Sequence, residues 1–203
     1  MSSPGDGFGT FVAAAGDLDG DGYADFAVGS RNVRSVSGSE DTIHIYRGGP
    51  SDFDETPAAV LHGSELFRVG WSAVGAGDLD GDGYGDLAVS RSDAPYGATA
   101  LHYGGPSGVS TTPSRLLPSA VMAGGYFEHV AAGGDLDGDG RSDLLVGPVR
   151  GGSAVSVFLN SPSGLPELPS TRLIAPLRAS GGFGFSLVLL TPTSRRCPAR
   201  RRG

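Results

Sequence analysis

Lysine is missing altogether: all 15 basic residues are arginine, a bias that a GC-rich coding sequence explains better than function does. There is one cysteine, Cys197, which excludes an internal disulfide framework and any multi-cysteine metal site. No apolar run approaches the length of a membrane span. The first seven residues, Met1 to Gly7, lack the basic start and apolar core of a signal peptide, so the chain is expected to be either unexported or a fragment whose leader is missing. Catalytic signatures are also lacking. His44, His62, His102 and His129 are scattered and read as structural, no serine has a Gly-x-Ser-x-Gly setting, and no glycine-rich phosphate loop occurs. An enzyme is not expected. The net charge is -7, and 12 of the 17 aspartates fall in three short segments, which argues against nucleic acid as a partner.

What is abundant is glycine, with 35 residues, and 14 prolines accompany it; without periodicity such a content would suggest low complexity. One nine-residue pattern recurs three times, as Asp17-Leu-Asp-Gly-Asp-Gly-Tyr-Ala-Asp25, Asp78-Leu-Asp-Gly-Asp-Gly-Tyr-Gly-Asp86 and Asp135-Leu-Asp-Gly-Asp-Gly-Arg-Ser-Asp143. Each copy carries carboxylates at positions 1, 3, 5 and 9: Asp17, Asp19, Asp21 and Asp25, then Asp78, Asp80, Asp82 and Asp86, then Asp135, Asp137, Asp139 and Asp143. Four like charges in so short a segment repel one another unless a cation sits among them. Calcium is the natural occupant, because it takes six to eight oxygen ligands and the alternation puts every second side chain inside a tight turn. The backbone carbonyls of Tyr23, Tyr84 and Arg141, at position 7, can add an oxygen each. An EF-hand is excluded at position 12, where a bidentate Glu is required and Val28, Val89 and Val146 stand instead, each closing a short apolar run. Such runs read as buried strands, so the loop joins two strands of a hairpin. A solvated acidic turn without metal is the bland alternative, and the threefold recurrence argues against it.

Around each loop the same four strands are expected. An apolar segment rich in small residues leads in: Gly7 to Ala15, Val69 to Gly77, or Tyr126 to Ala132. The buried run follows the loop, then a third strand, Thr42 to Tyr46, Ala98 to Tyr103 or Ala154 to Leu159, ending in a turn with Pro-Ser. A short fourth piece closes the unit: Ala58 to Leu61, Arg115 to Leu117, or Arg172 to Ile174. The loops begin 61 and 57 residues apart, a period that suits a four-stranded β-propeller blade and is far too long for a nine-residue calcium β-helix. The reading is all-β: one blade over 7–66, a second over 67–124, a third over 125–180, the truncated start of a fourth over 181–190, and an unstructured Arg-rich tail over 191–203. Five of the arginines and Cys197 lie in that tail, which reads as an out-of-frame end rather than a basic tail for anionic partners.

The pattern of Phe-Gly, small residues, Gly-Asp-Leu-Asp-Gly-Asp-Gly-Tyr-x-Asp, and a strand ending near Tyr-x-Gly-Gly-Pro resembles the FG-GAP repeat of integrin alpha-subunit propellers and their bacterial relatives. The likeness covers residues 7 to about 186, although among the three complete units the Phe-Gly pair is intact only at Phe8-Gly9, is Val69-Gly70 in the second and Phe127-Glu128 in the third. The resemblance implies blades of a seven-bladed propeller. It also implies that the loop aspartates, Asp17, Asp19, Asp21, Asp25 and their counterparts, are calcium ligands on the face away from the usual ligand surface.

The expected function is a calcium-binding, integrin-like module that binds a protein or glycan outside the cell or on its surface, with calcium acting structurally. The alternative is the non-catalytic propeller portion of a secreted hydrolase or lyase. Three and a fraction blades leave apolar faces open, so the expected partners include the remaining blades or a second copy. Ligand contact would fall to the connections Arg31 to Asp41 and Arg91 to Gly97, while Trp71 is expected in the core of a first strand rather than on a sugar platform.

Overall fold

The computed structural model describes residues 7–31, 41–50, 54–64, 69, 71–92, 97–118, 128–148 and 154–175. The truncated fourth unit, the Arg-rich tail with Cys197, Gly70, Phe127 and most of the two connections named above lie outside the described residues.

Three four-stranded antiparallel sheets follow one another along the chain, with no helix among the described residues. The first is β1 (Phe8–Gly16), β2 (Asp25–Ser30), β3 (Thr42–Tyr46) and β4 (Ala59–His62), paired in sequence order. The second comprises β5 (Ala73–Gly77), β6 (Asp86–Arg91), β7 (Ala98–His102) and β8 (Arg115–Pro118), and the third β9 (Glu128–Gly134), β10 (Asp143–Pro148), β11 (Ala154–Phe158) and β12 (Thr171–Ile174). The strands expected from the sequence match these within one or two residues, except that the segment expected from Val69 begins as a strand only at Ala73. Trp71 is the correction: β5 starts at Ala73, so Trp71 precedes the first strand of its sheet. There its half-buried ring lies beneath the guanidinium of Arg31, whose Cζ is 4.0 Å from the ring centroid, so the contact joins the first sheet to the second.

The burial pattern explains the sequence pattern. In β3, Ile43 and Ile45 are buried while Thr42, His44 and Tyr46 are half-buried, as strict alternation requires. The second sheet has a neighbouring sheet on each face, so β6 is buried throughout and its Leu87-Ala88-Val89 stretch reads as a continuous apolar run. Where each first strand meets its loop the register shifts, at Gly16, Gly77 and the start of β10. The glycine entering each loop has positive φ, 82° at Gly16, 74° at Gly77 and 56° at Gly134, a conformation that side chains disfavour and that turns the strand into the loop.

The sheets stack face to face in series, β1 against β5 and β5 against β9, as propeller blades do, without closing into a ring. One core lies between the first two sheets, where Ala15, Ile43, Ile45 and Leu61 meet Leu87, Val89 and Ala100. The next joins Ala88, Leu101 and Leu117 to Val130, Leu144, Val146 and Phe158. The small residues before each loop permit this approach: a Cβ on Gly75 would stand 2.3 Å from the Ala15 carbonyl oxygen.

Candidate metal centres

Each Asp-rich segment forms the turn between the first and second strands of its sheet, so the three lie at corresponding ends of successive blades. Position 1 builds the turn. Asp17 accepts hydrogen bonds on Oδ1 from the amides of Gly20 (2.8 Å) and Asp21 (3.1 Å), and on Oδ2 from Gly22 (2.9 Å). Asp78 repeats this with Gly81, Asp82 and Gly83, and Asp135 with Gly138 and Gly140. Position 5 accepts the amide of position 7: Asp21 from Tyr23 (2.8 Å), Asp82 from Tyr84 (3.0 Å), Asp139 from Arg141 (2.9 Å). Asp19, Asp80 and Asp137, at position 3, each take a longer bond from the amide of position 5.

Position 9 does something the spacing does not reveal. The buried Asp25, Asp86 and Asp143 each clasp two distant backbone amides. One is the Leu at position 2, with Leu18, Leu79 and Leu136 at 3.0, 2.7 and 2.7 Å. The other belongs to the turn after the third strand, with Gly48, Gly104 and Asn160 at 2.9, 2.9 and 2.8 Å. The repeated Pro-Ser turn was the available signal for this clasp.

The structure brings three carboxylates together in each loop, with oxygens within 4.8 Å of one another: Asp17, Asp19 and Asp21; Asp78, Asp80 and Asp86; Asp135, Asp137 and Asp143. Asp25, Asp82 and Asp139 stand outside these sets, so no loop gathers all four. Burial, reinforced by the charges of Asp80 and Asp78, pushes the Asp86 carboxyl up to about 6 despite the amides of Gly104 and Leu79. Asp25 is raised chiefly by burial, against its two amide bonds, and Asp80 by burial with Asp82 and Asp78 beside it. All-oxygen donors and converging negative charge suit a hard divalent cation in each loop, and the raised Asp80 and Asp86 add to this in the second. A cationic side chain already exploits the field of the first loop: Arg47 Nε lies 2.9 Å from Asp19 Oδ2.

The loops also touch the next blade. The amide of Gly85 donates to the Asp17 carbonyl (2.7 Å), that of Gly105 to Leu18 (3.0 Å), and Asn160 Nδ2 to Leu79 (2.9 Å). The Tyr84 ring lies so close to Gly20 that a Cβ there would meet it at 2.7 Å. Position 7 therefore contributes its amide within its own loop and, at Tyr84, its side chain to the loop before it.

The histidines divide. His102 is buried and its Nδ1–H donates to the Ser110 carbonyl (2.8 Å), a satisfied structural role. His44 shares a proton with Thr42 Oγ1 through Nε2 (2.9 Å), but its buried Nδ1 has no hydrogen-bond partner, and His62 is exposed at the end of β4.

Comparison with known proteins adds a family to this geometry. The model of the FG-GAP repeat matches residues 8–46, 70–105 and 127–158, each span holding one of the loops. Among curated relatives, mouse integrin alpha-IIb is 30% identical over 199 residues, covering 90% of this chain and 18% of the relative. Integrin alpha-6 of Gallus gallus is 29% identical over 157 residues, with 76% of this chain and 14% of the relative covered. Integrin alpha-PS2 of Drosophila melanogaster is 29% identical over 207 residues, with 92% and 14% covered. The chain spans less than a fifth of the length of each of these relatives.

Proposed function

The chain belongs to the FG-GAP repeat family, and from that premise we propose that it is a calcium-stiffened binding module of the adhesion type rather than an enzyme. The observation that carries the calcium reading is a converging carboxylate turn built three times, each clasped to its own sheet, with the first two also bonded to the sheet that follows. In this reading Asp17, Asp19, Asp21 and Asp25, Asp78, Asp80, Asp82 and Asp86, and Asp135, Asp137, Asp139 and Asp143 hold one ion per loop, joined by the carbonyls of Tyr23, Tyr84 and Arg141. The ion offsets the repulsion and stabilises the fold by mass action. Loops of this kind match millimolar calcium, which favours a location outside the cell or on its surface.

The partner is a protein or glycan. It is met at the sheet ends opposite the metal loops, where the connections from β2 to β3 and from β6 to β7 leave the scaffold. The names of the relatives, integrin alpha subunits, support the adhesion-type assignment.

Titration calorimetry with calcium alone, beside thermal melts in calcium and in excess chelator, tests the core of this reading. About three ions bound and a clearly lower melting temperature in chelator are expected. Absence of binding together with superimposable melts would sink the calcium role and leave the Asp segments as turns.

A further inference from the structure

We propose that Arg47 is a built-in competitor for the first loop, making it the weakest of the three cation sites and coupling its loading to the junction between the first two sheets. The inference rests on the calcium reading above and concerns how its three sites differ.

The first observation is geometric. Arg47 follows β3 directly; its Nε is 2.9 Å from Asp19 Oδ2, and its Nη2 donates to the Ser107 carbonyl at 3.1 Å, in the turn after β7 of the next sheet. The Asp19 side chain is only 8% exposed while that of Arg47 is 46% exposed, so the guanidinium closes over the carboxylate from the solvent side. The second is positional. Tyr46, His102 and Phe158 pair with Phe26, Leu87 and Leu144, which puts Arg47, Tyr103 and Leu159 at one site in the repeat. Only the first sheet has a cation there. The third is the carboxylate sets themselves: the second and third loops gather positions 1, 3 and 9, whereas the first, with Asp19 held by Arg47, gathers 1, 3 and 5.

A guanidinium bonded to a ligand oxygen neutralises part of the charge that attracts a divalent ion and repels that ion at close range. Calcium enters the first loop only by displacing Arg47 from Asp19, which also loosens its hold on Ser107. Arg115 supplies the control. It joins the next junction through the Leu165 carbonyl (2.6 Å) and makes no ion pair with a loop carboxylate among the described residues.

The test is a calcium titration of the full chain by calorimetry, with melts in excess chelator. The intact protein should show one weak step beside two tighter ones, and Asp21→Asn should abolish the weak one. Arg47→Gln should tighten that step by about three- to ten-fold, while Arg115→Gln leaves all three unchanged. In chelator Arg47→Gln should melt lower than the intact chain, because Asp19 loses its counter-charge. Three equal steps indifferent to Arg47, or a weak step made weaker by Arg47→Gln, would overturn this inference and leave the calcium reading standing. No binding at any loop would overturn both.

Discussion

Asp86 shows how one residue type takes different roles within a single loop. It is fully buried and accepts amide hydrogen bonds from Leu79 and Gly104, whereas Asp82 is exposed and accepts the amide of Tyr84. Asp86→Ala would leave two amides without an acceptor, at about 1–3 kcal/mol for each that stays buried, so urea unfolding in chelator should show a loss of about 2–4 kcal/mol. Asp82→Asn keeps an acceptor for Tyr84 and should weaken calcium binding while leaving chelator stability within about 0.5 kcal/mol. Equal losses for the two variants would mean that position 9 is not a clasp. The sequence showed four equivalent aspartates in each loop; it could not separate these roles, because the partners are backbone amides that carry no side-chain signature. His102 behaves as a second internal probe. Burial holds its pKa below 6.5, the Arg91 charge adds to this, and the bond to Ser110 opposes it. As pH falls through 6.5 the unfolded chain gains a proton that the fold refuses, so this residue removes stability on the acid side. Asp86, raised to about 6, works in the opposite sense, since below pH 6 the fold accepts its proton more readily than the unfolded chain does. The His102 contribution must therefore be read as a difference: between pH 7.5 and 5.5 in chelator, His102→Gln should lose less stability than the intact chain, and parallel curves would refute the assignment.

Strands were legible wherever side-chain periodicity met a face with one kind of neighbour. The alternation of β3 and the continuous apolar run of β6 could be read directly, because one has a half-buried face and the other is buried on both sides. The start of β5 could not, since Trp71 suits a strand by propensity yet lies outside it, drawn to Arg31. Arg47 was equally invisible: its partners, Asp19 and Ser107, sit 28 and 60 residues away, and no local pattern encodes such a reach. The small residues before each loop, by contrast, predicted close approach, and β5 shows the reason. A methyl on Gly75 would press against the Ala15 backbone, which cannot yield as a flexible side chain would. Gly75→Ala should cost about 1–3 kcal/mol through forced separation of the first two sheets, measured by urea unfolding. The same substitution at Gly49, where nothing lies within 4 Å of the added Cβ, should be nearly neutral. A cost at Gly75 no larger than at Gly49 would mean that the sheets are not in rigid contact.

Each sheet in the stack presents one face to its predecessor and a different face to its successor, and this polarity decides how the ends behave. Leu61 and Leu117 occupy one position in the repeat and are 2% and 1% exposed beneath the following sheet, while Leu173, their counterpart in the third, is 52% exposed with Ile174 beside it at 72%. At the other end Val12 of β1 is 69% exposed and Phe8 54%. Exposed apolar faces of this sort are expected to be covered by further blades in a longer polypeptide, and by a second copy when this chain stands on its own. Because the two faces differ, a second copy docks head to tail, a heterologous contact that propagates unless it closes into a ring. Mass measured by sedimentation should therefore rise with protein concentration. Val12→Glu and Leu173→Glu, made separately, should each suppress self-association, since every junction needs one intact face of each kind. Mixing the two variants should restore a single junction, formed by the intact β1 face of the Leu173→Glu chain and the intact β12 face of the Val12→Glu chain. Heterodimers in the mixture, with monomers in each variant alone, are the expected result. An intact chain that stays monomeric across the concentration range would show that these faces do not drive association.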